Sequence, residues 1–146
     1  MLSQHTIAIV KQTAPVIRER GEEITSRMYD ILFDTYPQTK ALFSKAPNNQ
    51  PEILAKSIIA YCDNIERLEA LEGGLDNIAR KHVAVDVHPG HYPMVGQSLL
   101  QAISDILGTD VATPEVIEAW KEAYFFLADI LIDKERQLST QQQPID

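Results

Sequence analysis

Three ionisable side chains fall where helical spacing would otherwise put hydrocarbon. His82 lies four residues after Ile78 and seven after Leu75, Tyr92 opens an apolar series continued by Val95, Leu99, Ile103 and Ile106, and Glu135 stands between Leu131 and Leu138. Residues three and four apart share a helix face, so each of the three points toward a core. A buried carboxylate with no partner costs several kcal/mol, which obliges Glu135 to find a hydrogen-bond donor. A neutral imidazole is a common metal ligand whose second ring nitrogen needs a fixed partner, and Tyr92 and Glu135 could supply it. The residues alone leave two accounts open: a core histidine bonded to a carbonyl with Glu135 reaching water, or a metal held by His82. Zinc held by His82, His88 and His91 is a weaker metal reading, because a Pro89-Gly90 turn separates the last two and no thiolate or nearby acid completes four ligands. A second polar pair is Tyr29, on one face with Leu32 and Phe33, and Gln50, one turn before Leu54.

Helices must position these groups, for strand patterns are nearly absent while apolar residues recur three and four apart. The fold class expected is all-α. Ser3 caps a first helix carrying Ile7, Val10, Ala14 and Ile17, with Pro15 expected to kink it or mark an irregular turn and Gly21 to stop it. A second helix opens at Glu22-Glu23 with Ile24, Met28, Ile31 and Leu32 inward and ends at Tyr36-Pro37. A short helical turn from Pro37 reaches Leu42 and Phe43, and Ser44 to Asn49 reads as a loop. Pro51 starts the next helix, whose stripe is Leu54, Ile58, Tyr61, Ile65 and Leu68, with Gly73-Gly74 as its break. A shorter helix then carries Leu75, Ile78, Ala79 and His82 to the turn His88-Pro89-Gly90. The helix of Tyr92 stops at Gly108, and Thr113-Pro114-Glu115 starts a last one with Ile117, Trp120, Tyr124, Leu127, Leu131 and Leu138 inward. Residues 1–139 read as one domain and 140–146, with Gln141-Gln142-Gln143-Pro144, as a disordered tail.

Charge narrows the function. The 146 residues carry a formal charge of −8, which repels phosphate backbones and disfavours a nucleic-acid partner. The single cysteine, Cys62, allows no internal disulfide and, among Ile58, Ile59, Tyr61 and Ile65, reads as a small core residue. No apolar run is long enough to span a bilayer, and Met1 to His5 lacks the features of a signal peptide, so a cytoplasmic location is expected. No GxGxxG, P-loop, HExxH or CxxC motif occurs.

Taken in order, several segments resemble the bacterial haemoglobins and the globin domains of flavohaemoglobins. They are Tyr29 with Leu32-Phe33, Tyr36-Pro37, Leu42-Phe43, Gln50-Pro51 with Leu54-Ala55, Lys81-His82, His91-Tyr92-Pro93 with Val95-Gly96, and Ala119-Trp120 with Ala123-Tyr124. The resemblance runs from Leu2 to Leu138 and implies a globin fold around one haem b, one iron per chain. It implies His82 as the iron ligand, Tyr92 and Glu135 as the hydrogen-bonded pair behind it, and Phe43 packed on the macrocycle. Tyr29 and Gln50 become donors to a bound gas, Leu54 shapes the gas pocket, and Lys81 pairs with a propionate or a surface acid. The connection from Phe43 to Gln50 is shorter than the family pattern, and no reductase sequence follows the globin segment. The function so implied is reversible binding of dioxygen and other diatomic gases, by a monomer or homodimer. Alternatives are a nitric oxide dioxygenase served by a separate reductase, and a haem-based gas sensor.

Overall fold

The computed structural model describes residues 2–142, and among them there are helices and no strands. Helix α1 runs Gln4–Thr35, α2 Gln50–Asp63, α3 Glu72–Ala84, α4 His91–Leu107 and α5 Pro114–Gln142. Short 3-10 turns, Pro37–Phe43 and Leu68–Leu71, lead towards α2 and α3. Ser3 caps α1 as its type predicts, its Oγ accepting from the Thr6 N–H at 3.1 Å. Thr113 does the same for α5, accepting from the Val116 N–H at 3.3 Å. Gly108 ends α4 with φ 78°, a backbone angle that suits a residue without a Cβ.

Three boundaries differ from the sequence expectation. The two helices expected on either side of Gly21 are one, interrupted at Arg20 (φ −115°, ψ 18°), while Pro15 stays within the helical run. Gly21 is buried, and a Cβ there would lie 3.4 Å from the Ala55 Cβ. It lies at the contact of α1 with α2, and that packing overrides the low helix propensity of glycine. Gly73-Gly74 does not break the preceding helix, which ends at Asp63, but lies in the first turn of α3. Glycine's cost in a helix is the backbone entropy it loses, about 1 kcal/mol, and it is smaller at a helix end than in the interior, so glycine is tolerated there. Ile65 and Leu68 therefore lie beyond α2. Finally, Gln141-Gln142, expected in the tail, continue α5, and residues 143–146 lie outside the described residues.

The core has two parts. The larger gathers Val10, Ile24, Met28, Tyr29, Leu32, Tyr61, Ile103 and Trp120, where α1, α2, α4 and α5 meet. Its polar groups are satisfied internally: the Trp120 indole donates to Thr13 Oγ1 at 2.8 Å, and the Tyr61 hydroxyl to the Ala123 carbonyl at 2.7 Å. Cys62 is buried there as expected, and burial pushes its thiol up to about 12. The smaller part gathers Leu75, Ala79, Tyr92, Ala128 and Leu131 between α3, α4 and α5.

Candidate functional site

His82, Tyr92 and Glu135 come together beside the smaller core, one from each of α3, α4 and α5. His82 Nδ1 lies 3.0 Å from the Tyr92 hydroxyl and 3.0 Å from Glu135 Oε2, and the Tyr92 hydroxyl donates to that same Oε2 at 2.5 Å. A carboxylate only accepts, so Nδ1 carries a hydrogen, and the lone pair that a neutral imidazole offers is then on Nε2. Among the described residues no protein group bonds Nε2. The His82 side chain is 32% exposed, whereas Glu135 is 8% exposed. Burial, then the bond to Glu135, holds the Tyr92 phenol well above its ordinary range, so it stays a donor. No cation bonds Glu135 among the described residues, and its partners are the imidazole and the phenol.

The frame around this group is tight. Tyr124 on α5 donates from its hydroxyl to the Tyr92 carbonyl at 2.7 Å, and its ring lies so close to α4 that a Cβ on Gly96 would sit 2.7 Å from Cε2. Lys134, next to Glu135, bonds Asp76 at 2.8 Å and also Glu72, which ties α5 to α3. Neither residue was singled out for the site from sequence. The pairing of a glycine on one helix with a large aromatic on another is the signal that could have pointed to Tyr124.

Tyr29 and Gln50 form a second polar pair, between α1 and α2. Gln50 Nε2 donates to the Tyr29 hydroxyl oxygen at 3.1 Å. The hydroxyl's own hydrogen meets no acceptor among the described residues, which leaves it available to a ligand. Burial raises the Tyr29 phenol, and the bond from Gln50 partly offsets this. Phe43 meets the Tyr29 ring edge-on at 5.2 Å between centroids, and Phe33 closes the cluster at 5.7 Å from Tyr29. Phe43 and Leu54 are both partly buried against the larger core. Lys81 is exposed and makes no ion pair among the described residues. Among the described residues no direct bond joins the His82 group to the Tyr29 group.

The zinc alternative is not assembled. No cluster of three metal-ligating side chains exists among the described residues. The His88 and His91 rings stack at 5.4 Å, and His91 Nδ1 is occupied by the His88 N–H at 2.9 Å. No helix of the described residues is long and apolar enough to cross a membrane.

Comparison with known proteins gives this geometry its context. The chain is 50% identical to a globin-like protein of Aquifex aeolicus (strain VF5) over 97% of this chain and 99% of that one. It is 43% identical to the flavohemoprotein of Pseudomonas putida over 94% of its own length but spans 36% of that relative. Among solved structures, an engineered carbene transferase from Rhodothermus marinus, whose parent is named as a candidate nitric oxide dioxygenase, superposes with a TM-score of 0.92 at 36% identity, covering 96% of this chain and 97% of that one. A flavohemoglobin from Malassezia yamatoensis with bound FAD and heme superposes with a TM-score of 0.86 at 32% identity, over 96% of this chain and 38% of that one. The globin family model matches residues 26–131. The helical frame, the length of the match and these relatives agree, and the chain belongs to the globin family.

Proposed function

We propose that this chain holds one haem b with His82 Nε2 as the iron ligand and binds dioxygen reversibly on the side of Tyr29 and Gln50. The observation that carries the reading is the doubly held imidazole: Nδ1 lies 3.0 Å from both Tyr92 and Glu135, so the lone pair available for a metal is on Nε2. The other residues present suit the group: Phe43 and Leu54 are partly buried apolar side chains that would pack on it, and Lys81 is an exposed cation that would pair with a propionate. Haem, when bound, supplies iron that takes up a diatomic gas and exchanges electrons.

The chain's own residues do the rest. Glu135 draws on the Nδ1 hydrogen and makes the imidazole a stronger electron donor, while Tyr92 keeps Glu135 in place. Tyr29 offers its hydroxyl hydrogen to the partial negative charge on a bound gas, and Gln50 orients that hydroxyl.

A second reading is a nitric oxide dioxygenase, in which nitric oxide, dioxygen and one electron give nitrate. The buried Tyr92–Glu135 bond of 2.5 Å favours it, because a firmly held acid behind the ligand promotes electron release toward the gas. The flavohemoprotein relatives support it by their name. Haem titration followed by absorbance tests the first reading: the wild type is expected to develop a Soret band at one haem per chain, and His82→Ala to lose the ligated spectrum. A colourless wild type would overturn it. Nitric oxide consumption by the oxygenated protein, with a reductant supplied, decides the second reading.

A further inference from the structure

Two side chains of α1 hydrogen-bond the first turn of α2, and only Tyr29 has so far been given a part in function. The other is Thr25, four residues before Tyr29 and so on the same face of α1. It is fully buried, and its Oγ1 stands 2.7 Å from the Pro51 carbonyl oxygen. Its own helix offers the Glu22 carbonyl at 3.2 Å. A hydroxyl has one hydrogen to give and the shorter contact takes it, so Thr25 donates across to α2, at the residue that follows Gln50.

The contacts between the two helices form a row. Gly21, Thr25 and Tyr29 recur at intervals of four along α1, and they meet Ala55, Pro51 and Gln50 in turn. Gly21 against Ala55 is a steric contact and has no direction. The bond from Gln50 to Tyr29 joins a neutral amide to a hydroxyl, and such a bond is worth about as much as the rotamer freedom a glutamine gives up to make it. Gln50 therefore does not fix itself. Nor does the start of α2 hold it, since Asn49 makes no side-chain cap and Pro51 brings no N–H. The middle contact differs, being short, directional, buried and made to backbone. It sets where α2 begins along α1, and with that how far the Gln50 amide reaches.

We propose that Thr25 is a positioning residue of the gas site. By holding the Pro51 carbonyl it keeps Gln50 Nε2 at the Tyr29 hydroxyl oxygen, and the hydroxyl hydrogen of Tyr29 then stays available to a bound gas. Without the Thr25 hydroxyl, α2 shifts at its start, Gln50 leaves, and Tyr29 donates in a less favourable direction. The inference rests on the haem reading and names a further residue of the same site.

The test uses the haem-loaded protein. Thr25→Val keeps the shape and drops the hydroxyl, Thr25→Ala drops it without adding bulk, and Thr25→Ser keeps it. Dioxygen release is expected to quicken about threefold or more in the first two and to stay within about twofold of wild type in the third, although all three lower the urea midpoint. With carbon monoxide bound, the C–O stretch rises when a hydrogen-bond donor withdraws from the gas. Thr25→Val and Thr25→Ala are expected to move this band to higher wavenumber, toward that of Gln50→Leu, and Thr25→Ser to keep the wild-type band. A merely structural role would not sort the band by the hydroxyl. Thr13→Val removes another buried hydroxyl of α1, the one that meets Trp120, and is expected to lower the midpoint with release and band unchanged. In a Gln50→Leu background, Thr25→Val is expected to alter release by less than about twofold. Release and band that follow the midpoint instead of the hydroxyl, or a full Thr25→Val effect on top of Gln50→Leu, would overturn the proposal. A wild type with no Soret band fails the functional reading and this inference with it. Where haem binds and Tyr29→Phe quickens release, a silent Thr25→Val overturns the role of Thr25 alone.

Discussion

Replacing Gly96 by alanine tests how firmly the site is framed. Alanine normally stabilises a helix over glycine by about 1 kcal/mol. At Gly73 and Gly74 a Cβ would meet nothing within 4 Å, so Gly74→Ala is expected to stabilise by roughly 0.5–1 kcal/mol. At Gly96 the same Cβ would stand 2.7 Å from Tyr124 Cε2, 3.0 Å from Cδ2 and 3.3 Å from Cζ. The ring must move, but its hydroxyl is tied to the Tyr92 carbonyl at 2.7 Å. Overpacking costs about 1–3 kcal/mol and a broken buried hydrogen bond about 1–3 more, against the helix gain of about 1. The net expectation for Gly96→Ala is a loss of roughly 1–5 kcal/mol, read as a lower midpoint in urea. In a Tyr124→Leu background the clash has gone, and the same substitution is expected to be neutral or stabilising, a coupling of roughly 1–6 kcal/mol. If Gly96→Ala and Gly74→Ala shift the midpoint in the same direction, the close approach of α4 and α5 does not set the frame and the reasoning is refuted.

Other expectations concern the polar groups. Tyr29→Phe keeps the ring against Phe33 and Phe43 but removes the free hydroxyl hydrogen. Dioxygen release is expected to quicken about tenfold or more, the equivalent of roughly 1.4 kcal/mol, and an unchanged rate in stopped flow would remove Tyr29 from the gas site. Burial raises the phenols of Tyr29, Tyr61, Tyr92 and Tyr124, so the folded state holds protons that the unfolded chain releases near about pH 10. The stability linked to them is complete below that pH. Above it, stability falls by about 1.4 kcal/mol per pH unit for each such phenol. Phenolate absorbance and helix loss by circular dichroism should therefore rise together in alkali, and more than one phenolate appearing with helicity intact would contradict this.

Much of the site was legible because polar residues at hydrocarbon positions are anomalies that periodicity exposes. His82, Tyr92 and Glu135 stood out in this way, and the structure brings the three within 3.0 Å. Tyr124 fits its apolar stripe as an ordinary core aromatic, and its bond to the Tyr92 carbonyl exists only because α4 and α5 cross at Gly96. A crossing point belongs to two helices and is written in neither one's repeat. Lys134 was hidden for the same reason, since its partners Glu72 and Asp76 sit far away in sequence. The misplaced boundaries at Gly21 and Gly73-Gly74 come from reading glycine as a local signal. At Gly21 the packing of α1 on α2 carries the helix through, and at Gly73-Gly74 the modest entropic cost of glycine falls at a helix start.

Helix α3 leans on α5 and the 3-10 turn before it, and its buried residues Leu75 and Ala79 belong to the smaller core. It is thus a leaf fastened along one margin by Lys134, by the acid behind His82 and by the Tyr92 hydroxyl of α4, not a beam built into the main frame. Its amides should exchange with solvent deuterium through a partial opening that costs less than melting the whole molecule. A ligand that grips His82 would close that leaf, so retention of the ligand and protection of α3 from exchange should rise and fall as one quantity.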